Sequence, residues 1–111
     1  MKLLSMTPEY INWTREGKKT ATTRTKNKGT GRFELVSGSR YKPKKADLTI
    51  EVASVIAWTP ASIGETLKAV ILREEGFCCW PSFMATLERL NRTKIPRTQR
   101  LWTHFYRVVR T

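Results

Sequence analysis

The stretch REGKKTATTRT, residues 15–25, sets Arg15, Lys18, Lys19 and Arg24 among four threonines behind a single glycine, Gly17. Ammonium and guanidinium groups attract anions, and threonine hydroxyls both donate and accept hydrogen bonds. The composition therefore suits the floor of a site for a polar, negatively charged ligand. Whether the groups converge depends on the backbone. In an extended strand alternate side chains share a face, which puts Thr20, Thr22 and Arg24 on one side and Ala21 and Thr23 on the other. Lys19 has the parity of the second set. It joins Thr22 and Arg24 only if the regular pleat starts near Thr20, leaving Lys19 in the turn after Gly17.

The flanking sequence can supply such a turn. KLLS at 2–5 reads as a short strand, and Thr7, Pro8 and Glu9 then provide a cap, a proline at the first helical position and an acid in the first turn. That helix carries Tyr10, Ile11 and Trp13 toward a core, and Gly17 is placed to end it in a left-handed conformation. Residues 20–25 are nearly all β-branched or small, which favours a strand. FELV at 33–36 is a second short strand, and Pro43 argues against a central strand in the loop SGSRYKPKK. In LTIEVASVIAW, 48–58, Leu48, Ile50 and Val52 alternate with Thr49 and Glu51 before both faces turn apolar. That is the pattern of a long strand bending around a barrel.

Ser62 to Glu65 has the capping-box pattern, and Leu67, Val70 and Ile71 recur at helical spacing until Gly76. Another helix starts near Pro81 with Phe83, Met84, Leu87 and Leu90 on one core-facing side. LWTHFYRVV, 101–109, is apolar or aromatic at both parities, as a sheet-closing strand should be. The expected architecture is a single α+β domain over residues 1–111, a small mixed β-barrel flanked by helices.

The charge points to the partner. The chain has 111 residues, 40% hydrophobic and 10% aromatic, and a net charge of +12. This is the composition of a folded globule, not of a disordered basic tail, and the charge favours a polyanion. Between 15 and 45 only Glu16 and Glu34 oppose a run of lysines and arginines, and RTKIPRTQR at 92–100 contains no acid. A basic face is expected from this clustering. Cys78 and Cys79 are adjacent and are the only cysteines, so neither a structural disulfide nor a zinc site is expected, and a reducing compartment suits them. MKLLSM is too short for the apolar region of a signal peptide, and no run reaches membrane-spanning length. A cytoplasmic protein without a membrane partner, metal or cofactor is the expectation.

Gly17, Lys19 and Arg24 reproduce the spacing G-x-K-x-x-x-x-R that follows the first helix in the ASCH domain family, small relatives of the PUA RNA-binding fold. EGF at 75–77 followed by WPSFMATL resembles that family's acidic-Gly-aromatic turn leading into a helix, and HFYRVV resembles its closing strand. The resemblance covers nearly the whole chain in the same order. It departs at GRFELVSGSRYKPKK, where family members carry a Tyr-Lys-x-Gly-Asp turn, which implies a differently shaped rim to the cleft.

The resemblance implies a PUA-like barrel that binds RNA or a nucleotide in a cleft beside the first helix. The phosphate contacts would come from Arg15, Lys18, Lys19, Arg24, Lys26, Arg40, Lys42 and Arg97. Small members of the family are amidohydrolases that deacetylate N4-acetylated cytidine. Their lysine, threonine and glutamate fall on Lys19, Thr22 and Glu75, which makes this activity the alternative reading and a ribonuclease the third. In the amidohydrolase reading Thr22 is the nucleophile, an unprotonated Lys19 takes its proton, Glu75 gives one to the departing amine, and Arg24 steadies the oxyanion or a phosphate. A helical wheel centres the apolar face nearer Glu74, so Glu74 and Glu75 compete for the site; Gly76 ending the helix favours Glu75. Trp13, Phe33 and Tyr41 are candidates for stacking on an unpaired base, with Trp13 better placed for the core. His104, in a core-like strand, and both cysteines are expected to be buried structural residues.

Overall fold

The computed structural model describes residues 2–38 and 42–109. Arg40 and Tyr41, two candidate RNA contacts, lie outside them. Among the described residues the order is β1 Lys2–Ser5, α1 Pro8–Arg15, β2 Ala21–Arg24, β3 Gly31–Ser37, β4 Lys44–Trp58, α2 Glu65–Glu75, α3 Trp80–Asn91 and β5 Leu101–Val108. The strands form one mixed sheet in the order β1-β3-β4-β5-β2. β1 runs parallel to β3, with Lys2 opposite Phe33, and the remaining pairs are antiparallel.

The sheet curls but does not close into the expected barrel. β4 is 15 residues long and pairs with β3 along its first half and β5 along its second, with a register shift between Val52 and Ser54 that bends it. It begins at Lys44, so Pro43 precedes the strand, where a missing N–H costs no ladder bond. Closure fails because the two edge strands, β1 and β2, have four residues each and do not meet. One side chain crosses the gap: Arg24 donates from its guanidinium to the Ser5 carbonyl at 2.5 Å.

Two apolar clusters hold the helices to this sheet. Leu4, Met6, Tyr10, Ile11, Phe33, Leu35, Ile50, Val52 and Tyr106 form the first, under α1. Trp58, Ile71, Phe83, Leu87 and Leu101 form the second, under α2 and α3, and Phe77 packs against both. Each fully buried side chain of this size stabilises by about 1.5–3 kcal/mol. β5 serves both clusters, Leu101 in one and Tyr106 in the other, which explains why it is apolar at both parities. Phe33 is a core residue at 2% exposure, and so cannot stack on a base; Trp13 packs partly buried against the same cluster.

Two further expectations are corrected. The N-cap of α2 is Gly64, with no side-chain cap, because Ser62 is engaged with Thr59 in the preceding turn at 2.7 Å between hydroxyls. Cys78 and Cys79 are free and exposed, not buried. They occupy the short link between α2 and α3, where Phe77 is the residue turned inward.

Candidate functional site

Two helix ends position the site, and both are Schellman turns made possible by glycine. At the end of α1, Gly17 adopts φ 81°, its N–H bonds to the Thr14 carbonyl, and the Lys18 N–H bonds to the Trp13 carbonyl at 2.8 Å. Lys19 therefore sits in the turn, two residues before β2 begins, and escapes the parity that would have turned it away from the cleft. At the end of α2, Gly76 adopts φ 84° and the Phe77 N–H bonds to the Leu72 carbonyl at 2.9 Å. That turn drives Phe77 into the core and leaves Glu75 facing inward, at 3% exposure.

The turns are joined to each other. The Thr20 N–H donates to the Glu74 carbonyl at 2.6 Å, and the Thr20 hydroxyl donates to the Glu74 carboxylate. Glu74 thus clamps the outside of the junction while Glu75 occupies the inside, which settles their competition geometrically: Glu75 lines the cleft. The junction is also tight. A Cβ on Gly76 would lie 3.0 Å from the Lys18 carbonyl oxygen and 3.4 Å from the Trp13 ring, whereas one on Gly17 meets nothing within 4 Å. Gly17→Ala is expected to cost about 1–2 kcal/mol from its left-handed backbone alone. Gly76→Ala is expected to cost about 2–4 kcal/mol, because backbone must also shift. Urea denaturation of the two variants checks this, and equal losses would remove the argument for a tight junction.

Lys19 and Glu75 form a buried ion pair, with side chains each 4% exposed. Glu75 uses Oε1 for Lys19 and accepts the Thr23 hydroxyl on Oε2 at 2.6 Å. Thr23 continues to the Thr103 hydroxyl at 2.8 Å, which accepts the Trp58 indole N–H at 2.8 Å. The Lys19 ammonium also lies 5.1 Å from the centre of the Tyr10 ring. Thr22 and Arg24, of the other parity, turn to the β1 edge. Arg24 donates through Nε to the Thr22 hydroxyl at 3.1 Å and through its second nitrogen to Ser5. Burial pulls the Arg24 guanidinium below its usual value, against the attraction of Glu75. It is a half-buried cation whose hydrogen bonds go to neutral oxygens.

These groups share one hollow of about 360 Å³. Lys19, Thr22, Thr23, Arg24 and Glu75 form its polar side, and Tyr10, Phe77, Phe83 and Leu87 its apolar walls, from α1, the α2–α3 link and α3. Both edge strands contribute, so the gap left by the unclosed sheet is the cleft. Of the remaining basic candidates, Arg15, Lys18, Lys26, Lys42 and Arg97 are exposed and lie outside its lining. Arg15 donates to the Ala46 carbonyl at 2.8 Å, Lys18 pairs with Glu16 at 3.1 Å, and the Arg97 carbonyl accepts from Ala61 on the far loop.

Three residues of the site were not anticipated. Strand parity puts Thr23 on the opposite face from Thr22, and only the reach of Glu75 from α2 brings it in. Tyr10 and Phe77 line the cleft where Phe33 and Tyr41 were the expected aromatics. Behind the floor, His104 is fully buried: its Nδ1 lies 3.2 Å from the Thr22 carbonyl and its Nε2 accepts the Lys28 N–H at 2.9 Å. Burial, aided by Arg24 and Lys28, pushes the imidazole below its ordinary 6.5, which suits a neutral ring donating at Nδ1. Tyr106, hydrogen-bonded to Thr14 at 2.6 Å, is pushed well upward by burial and stays protonated.

No protein-family model matches the sequence, and no curated protein does. Solved structures do match in fold. A mutant ASCH protein from Zymomonas mobilis superposes with a TM-score of 0.63 at 17% identity, over 95% of this chain and 67% of that one. An ASCH domain from Lactobacillus crispatus gives 0.60 at 13% identity, over 90% of this chain and 70% of that one. A DUF984 protein from Enterococcus faecalis gives 0.58 at 15% identity, over 88% of this chain and 65% of that one. The chain therefore has the ASCH domain fold and spans less than two thirds of the E. faecalis protein. Among the described residues no helix is long and apolar enough to cross a membrane.

Proposed function

We propose that this chain binds one nucleotide unit of RNA, or a free nucleotide, in the cleft floored by Lys19, Thr22, Arg24 and Glu75. The observation that carries the reading is the chemistry of that hollow. It is large enough at about 360 Å³ for a nucleoside, and its aromatic and aliphatic walls suit a base. The Lys19–Glu75 pair at the cleft's polar side supplies a donor and an acceptor for a base edge to engage, and Arg24 offers a half-buried cation for a phosphate. The exposed basic residues outside the lining, Arg15, Lys18, Lys26, Lys42 and Arg97, add long-range attraction without sequence information. In titrations with cytidine, uridine, adenosine and guanosine monophosphates, Arg24→Ala is expected to weaken binding by about tenfold to a hundredfold, the range for a hydrogen bond to a charged group. Wild-type affinity in that variant, or no saturable binding by wild type, would dismiss the proposal.

A second reading, amide hydrolysis of an N4-acylated cytidine, is favoured by one specific arrangement. Arg24 donates to the Thr22 oxygen, which leaves the Thr22 proton uncommitted, and Thr22 lines the same hollow as the Lys19–Glu75 pair. This reading requires an unprotonated Lys19, which takes the Thr22 proton as Oγ1 bonds to the acyl carbon; Glu75 passes that proton on to the departing N4 amine as the C–N bond breaks. Water cleaves the acyl-Thr22 ester to acetate and restores the hydroxyl. The test is release of acetate from N4-acetylcytidine by the wild-type chain; its absence at high protein concentration ends this reading and leaves the binding one standing.

A further inference from the structure

Arg24 stands between two hollows. Beyond it lies a second one, of about 300 Å³, which shares Ser5, Arg24 and Gly38 with the cleft and extends over Leu3, Lys28 and Pro43. Arg24, whose guanidinium donates to the Ser5 carbonyl, lines both hollows, as Ser5 does. Among the described residues no carboxylate forms an ion pair with Arg24 or with Lys28; Glu75 attracts Arg24 from the cleft side, and no acidic residue lines the second hollow. Lys28 is held there from behind, since its N–H is bonded to His104 while its side chain is exposed at the hollow. The floor beside it is apolar and accessible: Leu3 is 49% exposed, in an otherwise strongly basic neighbourhood.

A phosphodiester joining two nucleosides, one against the apolar walls of the cleft and one over Leu3, brings its charge to Arg24, which lines both hollows, and to Lys28, which lines the second. We propose that the second hollow receives the nucleotide adjacent to the one in the cleft, with the phosphate between them held by Arg24 and Lys28. The occupant is then a ribonucleotide strand and not a free nucleoside. The inference rests on the nucleotide-binding reading of the cleft, and it names what that reading leaves open.

Calorimetric titration with each common ribonucleoside and with a pool of ribodinucleoside monophosphates of all sequences tests it. The dinucleotides are expected to bind at least about tenfold tighter, and their affinity to fall more steeply with salt. For one neutralised phosphate the slope of log affinity against log salt should steepen by about 0.7. Lys28→Ala, which keeps the backbone bond to His104, should bring the dinucleotide-to-nucleoside affinity ratio toward one, and Leu3→Glu should do the same by occupying the hollow with a charge. Nucleosides binding as well as dinucleotides, or a ratio unmoved by both variants, overturns the second hollow while leaving the cleft intact. Failure of every probe to bind overturns both.

Discussion

Glu75→Ala is expected to lower the unfolding free energy by about 3–5 kcal/mol, as breaking a fully buried ion pair does. The loss has two sources. Removing the carboxylate strands the Lys19 ammonium, whose side chain is 4% exposed, where the Tyr10 ring is the nearest compensation. It also deprives the Thr23 hydroxyl of its acceptor and leaves a void under the end of α2. For a domain of this size the melting temperature should fall by roughly 12–30 °C. The pair itself is a different matter. Lys19→Met combined with Glu75→Leu removes both charges and keeps volume, and is expected to recover most of the loss, because desolvating two ions offsets much of their attraction. Stability that survives the single change as well as it survives disruption of the exposed Lys18–Glu16 pair would mean that the Lys19–Glu75 contact is not a buried one. If instead the double variant folds well and binds no nucleotide, the pair is retained for the ligand and not for the fold.

How much of this was open to sequence reading follows from what local pattern can encode. Thr7, Pro8 and Gly17 bound α1 as expected, and Gly76 ended α2, because caps and left-handed turns depend on the residue at hand and not on distant neighbours. The same locality explains why Lys19 could be assigned to the cleft despite its parity: the Schellman turn that exempts it was visible in Gly17. Period-2 patterning correctly paired Thr22 with Arg24, yet it excluded Thr23, since parity names a face and says nothing about which helix end will reach it. The length of β4 suggests a closed barrel that the sheet does not form. Closure requires the first and last strands to meet, and four-residue edges at β1 and β2 leave a gap that only coordinates reveal. Phe33 and Tyr10 exchanged roles for a related reason. Both are aromatic and near basic residues, and only packing tells that Phe33 fills the first core while Tyr10 also lines the hollow.

If the chain hydrolyses N4-acetylcytidine, its two adjacent threonines are expected to behave very differently. Thr22→Val should reduce kcat/KM by about 10⁴-fold or more, the scale seen when a covalent nucleophile is removed. No acyl-enzyme should then appear by mass spectrometry. The difference lies in what each hydroxyl does with its proton. Thr22 accepts from the Arg24 guanidinium, which withdraws electron density from the oxygen and leaves the proton directed elsewhere. Thr23 commits its proton to Glu75 Oε2 and lies between that carboxylate and Thr103. It can hold Glu75 in place, but its proton is already committed to that carboxylate. Thr23→Val should therefore cost about 1.5–3 kcal/mol in stability, as for a lost hydrogen bond to a charge, and slow turnover only about tenfold through a displaced Glu75. A trapped acyl group on Thr23, or full turnover by the Thr22 variant, would show that the Arg24 contact marks a ligand-positioning hydroxyl and not a nucleophile. In that event Thr22 and Arg24 belong wholly to recognition of the sugar and phosphate, and any hydrolysis must proceed by direct attack of water activated at the Lys19–Glu75 pair.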